Sequence, residues 1–173
     1  SLAVSPQYGA GPFIFSLPLS LNVALEAGED DYVRYSAYPT LTYLIPDTRQ
    51  AVSFYGIGAQ IDDRDKNRAL DDDGETLGLG FAYLYAFENK SRVRLSLDYQ
   101  HTVYDASVVD YETSCDLRDK REDNTIMAGL DIVYQMTDHF GLYANYALMR
   151  SNSNVSLYEF DRHVVQGGVV LKF

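Results

Sequence analysis

Hydrophobic and polar residues alternate along almost the whole chain with a period of two. The stretch from Arg92 to Val103 shows this most clearly, because Val, Leu and Tyr alternate there with Arg, Ser, Asp, Gln and Thr. A period of two is typical of β-strands, and no stretch has the 3.6-residue period of an amphipathic helix. The pattern therefore predicts an all-β fold.

Eight alternating segments can be distinguished. They cover about residues 13–25, 33–45, 51–62, 77–87, 92–103, 125–135, 140–151 and 165–173. In the third and least regular segment we assign Tyr55, Ile57, Ala59 and Ile61 to the apolar side. Residues 1–11 are predicted to be irregular, and residues 1–173 to form a single domain, in keeping with the length of the chain.

Short and long links alternate between these segments. Short links with turn-forming residues lie at Pro46–Arg49, Glu88–Ser91 and Thr137–His139. Longer, charged links are predicted at about 26–31, 62–75, 105–123 and 151–162. Transmembrane barrels of the outer-membrane type combine short turns on one side with longer loops on the other. The spacing thus predicts an up-and-down antiparallel β-barrel of eight strands that crosses a membrane.

The chemistry of the two strand faces indicates which face meets lipid. In the fourth segment the face opposite the apolar one carries the small residues Gly78, Gly80, Ala82 and Ala86, as expected where an eight-stranded lumen leaves little room. Aromatic residues lie near both ends of the segments, as in the interfacial girdles of membrane barrels. We therefore expect the apolar face to point outward. Pro39 interrupts this face, and we expect a bulge or a locally broken pair there.

The opposite face would line the lumen. It carries the predicted lumen charges, which are Arg34, Arg92, Arg94, Asp98, Asp131 and Lys172. In a barrel of eight strands, side chains fill the lumen. We expect these charges to pair with one another in place of an apolar core, and we expect no stable conductance.

Composition narrows the possibilities further. The chain has 15 Tyr and 8 Phe but no Trp, one cysteine, and a formal net charge of −11. The negative charge argues against nucleic acid as a partner, and a single cysteine excludes an intrachain disulfide. No apolar run approaches the roughly 20 residues that a membrane helix needs.

Candidate chemistry is sparse. Asp63, Asp65, Asp71 and Asp73 supply hard oxygen ligands in one link, but Arg68 occupies the position where an EF-hand loop needs glycine. We expect a solvated loop without a metal; the alternative is a divalent ion that bridges this loop to lipopolysaccharide phosphates. His101, His139 and His163 lie in separate segments, so we expect no catalytic site and no cofactor.

The end of the chain carries a resemblance to a known class. Val165, Val169, Leu171 and the terminal Phe173 alternate in a pattern that resembles the C-terminal signal of Gram-negative outer-membrane β-barrel proteins. The resemblance implies a location in the bacterial outer membrane. It also implies the outer-membrane assembly machinery, outer-membrane lipid and lipopolysaccharide as partners.

A narrower likeness covers about the last fifty residues. Asp138–Leu142, Arg150–Asn152 and Tyr158 resemble the ends of export porins of exopolysaccharide or surface-lipoprotein systems. Those barrels are about twice this length, so the likeness allows the chain to be the C-terminal half of an about 16-stranded pore.

Three functions remain open at this point. The first is a small outer-membrane barrel with a structural, surface-interaction or adhesion-like role through its long acidic loops, with an extracellular or periplasmic protein partner of unknown identity. The second is the half-pore of an export or transport porin. The third is a soluble β-barrel that binds an apolar ligand.

Overall fold

The computed structural model of the protein describes residues 1–26, 29–63, 73–110 and 115–171. They form one antiparallel sheet of twelve strands, which confirms the predicted all-β class. The strands are β1 Leu2–Val4, β2 Gln7–Ala10, β3 Phe13–Ser16, β4 Leu19–Glu26, β5 Glu29–Ala37, β6 Thr40–Ile45, β7 Gln50–Asp63, β8 Gly74–Ala86, β9 Arg92–Asp110, β10 Cys115–Gln135, β11 Phe140–Ser153 and β12 Phe160–Leu171.

Helical structure is confined to one 3₁₀ turn at Ser156–Tyr158 among these residues. None of the described residues belongs to a helix with the length and apolar character needed to cross a membrane.

Three pairs of strands continue one another, so the sheet consists of nine consecutive runs. β1 and β2 form the first run, β3 and β4 the second, and β5 and β6 the third. The prediction that residues 1–11 are irregular is wrong, because β1 pairs with β4 and β2 pairs with β3. Pairing with an existing edge satisfies the backbone N–H and C=O groups of a segment even when its side chains alternate poorly.

Prolines interrupt each of these three runs at neighbouring positions. The carbonyl oxygens of Pro6, Pro18 and Pro39 accept hydrogen bonds from Leu17 N, Tyr38 N and Gly56 N at 3.0, 2.9 and 2.9 Å. The strand register on the two sides of each proline is the same. The expected irregularity at Pro39 is therefore a locally broken pair and not a bulge.

The predicted short turns are present, and two of the four predicted long links, those at 26–31 and 105–123, are mostly strand in their described residues. Chain reversals occur at 46–49, 87–91 and 136–139, with a further one at 11–12. The prediction of a long link at 26–31 is wrong, because Glu26 pairs with Glu29 across a hairpin. The link predicted at 105–123 is largely an extension of β9 and β10. Polar strands can extend beyond an apolar band because the ladder needs only backbone partners.

The sheet is open, so a closed barrel of eight strands is not observed. Within the described residues no pairing joins β12 to β1 or β2. Because neighbouring runs are antiparallel and the runs number nine, β1 and β12 point in the same direction along the sheet.

The two faces of the sheet differ in chemistry. The apolar face is the side of Leu79, Phe81, Leu95, Leu97, Leu130 and Val165, which the register joins across β8 to β12. The polar face is the side of Arg94, Ser96, Asp98, Asp131 and Asn145. The exposed fractions of Leu79, Leu97 and Val165 are 72%, 54% and 78%.

The assignment for the third predicted segment is wrong. Tyr55, Ile57, Ala59 and Ile61 lie on the polar face, because Phe54 is the residue paired with Phe81 on the apolar face. Gly56 and Gly58 alternate with the misassigned residues, so this segment has no apolar side that local pattern could reveal. Neighbouring strands decide the register here.

Candidate functional site on the polar face

Paired hydroxyl groups run across the polar face. Four cross-strand pairs lie there at 2.6–3.0 Å, which are Ser20–Ser36, Thr42–Ser53, Thr76–Thr102 and Thr125–Ser151. Hydroxyl pairs of this kind stabilise neighbouring strands by a few tenths of a kcal/mol or more, up to about 1 kcal/mol each. The polar face thus satisfies many of its own hydrogen-bonding groups.

Two of the predicted lumen carboxylates have partners on this face. Asp131 accepts a hydrogen bond from the Asn145 amide and lies 3.5 Å from the Arg94 guanidinium. Asp98 accepts a hydrogen bond from the Tyr55 hydroxyl, which reaches it across Gly80. The structure therefore joins Arg94 and Asp131 to Asn145, and it joins Asp98 to Tyr55, a residue that the sequence pattern assigns to the apolar side.

Two of the remaining lumen charges, Arg34 and Arg92, have no partner among the described residues. Arg34 and Arg92 make no hydrogen bond or ion pair within the described part of the chain, and both are exposed. Lys172 lies outside the described residues. The predicted pairing of charges therefore holds for Arg94 but not for Arg34 or Arg92.

The polar face carries charges of both signs. Among the side chains that the structure describes, those on this face include Arg34, Arg92, Arg94, Arg121, Arg162, Asp98, Asp123 and Asp131.

A cavity lies at the short-turn end of the polar face. It has a volume of about 420 Å³, and Arg92, Arg94, Asp131, Tyr143 and Asn145 supply its polar lining. Leu84 and Val133 supply apolar walls. Volumes of this order accommodate small organic ligands.

The other end of the polar face is covered by the link between β11 and β12. The Arg121 guanidinium lies between two rings, with its central carbon 3.6 Å from the Tyr104 centroid and 3.7 Å from the Tyr158 centroid. Its Nη2 donates to Asp123 at 2.8 Å. Arg121 and Asp123 are both buried, at 8% and 7% exposure. This Arg121 clamp attaches the 3₁₀ turn to the end of β9 and β10.

Asn154 fastens the same link through backbone contacts. Its side-chain oxygen accepts from Glu122 N at 2.9 Å, and its side-chain nitrogen donates to the Lys120 carbonyl at 2.8 Å. The next residue, Val155, is only 2% exposed. The link is thereby an ordered cover at the long-loop end of the sheet.

The environment of Arg121 also affects its ionisation. Burial by itself lowers the pKa of Arg121, but the hydrogen bond to Asp123 and the nearby Tyr104, Asp123 and Tyr158 groups outweigh it, so that the pKa is raised. The Arg121 guanidinium therefore stays charged at neutral pH. A permanent charge between two rings is the condition for a stable cation–π contact.

The candidate metal ligands lie mostly outside the described residues. No group of three or more His, Cys, Asp or Glu that could hold a metal occurs among them. Of the four candidate aspartates, Asp65 and Asp71 lie outside the described residues, as does the side chain of Asp63; Asp73 is described. Ser151 is 3% exposed and pairs with Thr125.

The residues of the predicted assembly signal lie on the edge strand β12. Val165, Val169 and Leu171 are on the apolar face and exposed, whereas Phe173 lies outside the described residues.

Comparison of the chain with protein-family models, curated proteins and solved structures finds no match.

Proposed function

We propose that the chain forms a small outer-membrane β-barrel whose apolar face contacts lipid. The exposed apolar face carries this proposal. Only Val33, Ala51, Ile57, Ala82 and Val155 are buried apolar residues in the part of the chain that the structure describes. A water-soluble domain of this size buries about 70% of the surface of its unfolded chain. It also rarely exposes a large contiguous apolar patch.

Aromatic rings on the apolar face support the same proposal. Near the short turns, Tyr85 and Phe87 pack with ring centroids 4.7 Å apart, and Phe13 and Tyr43 with centroids 5.0 Å apart. Toward the long-loop end, the Tyr99 hydroxyl donates to Asn124 at 2.7 Å. Rings with polar tips at the two ends of an apolar band suit the two membrane–water interfaces.

The number of runs suggests how such a barrel would close. Pairing the first run with β12 would require a parallel seam, since the two runs point the same way. The second run, β3 with β4, points the opposite way and can pair with β12 in the antiparallel sense. We propose a closed barrel of the eight runs from Phe13 to Leu171, with the first run displaced from the seam.

The absence of tryptophan allows a direct test of lipid contact. Val165→Trp places an indole on the apolar face, and Gln166→Trp places one next to it on the polar face of the same strand. In vesicles containing brominated phospholipid, we expect strong quenching of the first indole and weak quenching of the second. Equal quenching of both, or a protein that stays in solution without detergent, contradicts the proposal and favours the soluble barrel.

The long-loop end is the proposed site of the surface-interaction role. The pairing of β8 with β9 ends at Tyr104, and the pairing of β10 with β11 begins at Asp123, so the hairpin of β9 and β10 extends beyond both neighbours. Such a projecting arm is accessible to an extracellular protein or to lipopolysaccharide.

The single thiol tests the orientation of this arm. On intact cells, a membrane-impermeant maleimide should label Cys115. In a Cys115→Ser background, Asn89→Cys places the thiol in a short turn, which should be labelled only after the outer membrane is permeabilised. The reverse result would place the short turns outside.

The open sheet favours a second candidate, the C-terminal half of a wider export or transport pore. Both edges of the sheet lack a partner within the described residues, and a further set of strands could pair with them. In detergent, a monomer mass with one copy of the chain supports the small barrel. Co-purification with further barrel strands would support the pore.

A further inference from the structure

The cavity at the short-turn end of the polar face has more positive charge than its own residues neutralise. Arg92 and Arg94 lie on the same face of β9, two residues apart, and both line the cavity. Asp131 is the single carboxylate in the lining, and it already accepts from Asn145 and faces Arg94. Two arginines against one aspartate leave an excess positive charge.

Arg92 is the lining residue whose guanidinium group is available to bind an anion. It makes no hydrogen bond or ion pair with the described residues, and its side chain is exposed to the cavity. The guanidinium group has five N–H donors in a planar fork that matches carboxylate and phosphate oxygens. An anion beside Arg92 would offset the repulsion between the two arginines and satisfy these donors.

The rest of the lining limits what kind of anion fits. Leu84 and Val133 form apolar walls, and the Tyr143 ring lies over Gly168 at the side of the cavity. The volume of 420 Å³ corresponds to a small ligand and not to a lipid with two acyl chains. A purely inorganic ion would leave the apolar walls without a contact.

We propose that this cavity binds a small organic anion that carries one carboxylate or phosphate group on an apolar body. Arg92 is the primary ligand of the anionic group, and Arg94 adds to the positive potential. Leu84, Val133 and Tyr143 contact the apolar body. The lining comes from β8, β9, β10 and β11, so the site includes no residue of an edge strand.

Calorimetry on the folded protein in a zwitterionic detergent tests this site. Benzoate and phenyl phosphate serve as probes with one anionic group each, and benzyl alcohol serves as the neutral probe. We expect saturable binding of at least one anion and none of the alcohol. Arg92→Gln should weaken anion binding about tenfold, as expected for the loss of one charge-assisted hydrogen bond.

Arg162→Gln is the matched control. Arg162 is also an exposed arginine of the polar face, but it lies 5.5 Å from the Phe160 ring and outside the cavity. Its replacement should leave binding unchanged. Equal losses in the two variants would show that any arginine of the polar face attracts the anion, and this result would overturn the proposal. Binding of benzyl alcohol as tight as that of benzoate, or no binding of any probe to folded protein, would overturn it as well.

Discussion

Arg121 illustrates how single residues can order the end of a sheet that has almost no apolar core. Its stem and guanidinium are buried between Tyr104 and Tyr158, and Asp123 supplies the counter-charge. Burial of a charge is costly unless the charge is both paired and hydrogen-bonded. The Arg121 clamp meets both conditions, so the cover at the long-loop end depends on it.

Arg121→Met should open this cover. The change keeps an apolar side chain between the rings but leaves Asp123 buried without its cation, which costs about 3 kcal/mol. We expect chymotrypsin to cleave within 155–160 roughly a hundred times faster, since cleavage follows the population of the open link. Arg150→Met is the control, because its ion pair with Asp161 is more than 60% exposed on both sides and contributes less than about 1 kcal/mol. Equal cleavage of the two variants would show that the clamp does not hold the link.

Gly80 is a second residue whose identity follows from a close contact. The Tyr55 ring crosses the strand directly above it to reach Asp98, and an added Cβ would overlap that ring. Gly80→Ala should therefore lower the free energy of unfolding by about 2 kcal/mol.

The control for Gly80 is Gly167→Ala, where the added Cβ would lie 3.5 Å from the Tyr143 carbonyl oxygen, an ordinary contact. Urea titrations of both variants in the same detergent, followed by circular dichroism, provide the comparison. A Gly80→Ala variant as stable as Gly167→Ala would mean that Tyr55 moves aside without cost.

At the scale of elements, the main departure from an ideal ladder is the set of three prolines, Pro6, Pro18 and Pro39, that lie at neighbouring positions in the first three runs. Residues directly opposite one another in a hydrogen-bonded pair exchange two bonds. Gly56 N donates to Pro39 O, but Pro39 has no N–H with which to return the second bond. Pro18 and Pro6 leave the same deficit in the two preceding runs.

Pro39→Val should restore the missing donor and favour an extended conformation. We expect the free energy of unfolding to rise by about 1 kcal/mol, the typical net contribution of one hydrogen bond. The control Pro46→Val alters a turn closed by the bond from Thr48 N to the Ile45 carbonyl and should bring no gain. A fall in stability for Pro39→Val would indicate that the ring packed against Gly56 matters more than the donor.

On the scale of the whole molecule, the sheet is stabilised by its ladder and by contacts across each face, and not by a sealed core. Cross-strand pairs link every run to its neighbours, while large apolar side chains on one face remain exposed. In the proposed barrel this exposure would become favourable in lipid, because hydrocarbon would surround the apolar face and a closed ladder would leave no free backbone groups.

Conductance distinguishes a filled barrel from a pore. A closed barrel of eight runs should produce no stable channels in planar bilayers, because its lumen is filled by side chains such as Tyr55 and Arg94. Arg121→Met should not change this absence of channels, because Tyr55 and Arg94 lie closer to the short-turn end of the barrel than Arg121 does. Channels of a wide, water-filled kind in the unaltered protein would favour the half-pore.

Local pattern by itself determined the class of the fold, most strand positions and the short turns. The alternation in β8 to β12 is regular, so each of these strands has one apolar side whatever its neighbours are. Turn residues such as Pro46 and Asp138 mark where the chain reverses.

Only the tertiary structure decided the faces of β7, the recruitment of residues 2–10 into strands, and the clusters around Arg121 and Asp98. In β7, glycines remove the alternation, so the face of Tyr55 depends on the register imposed by β8. Arg121 and Tyr158 are distant in sequence, and no local pattern can predict that they touch. Contacts between strands far apart in the chain are set by register and chain path, which depend on all the strands together.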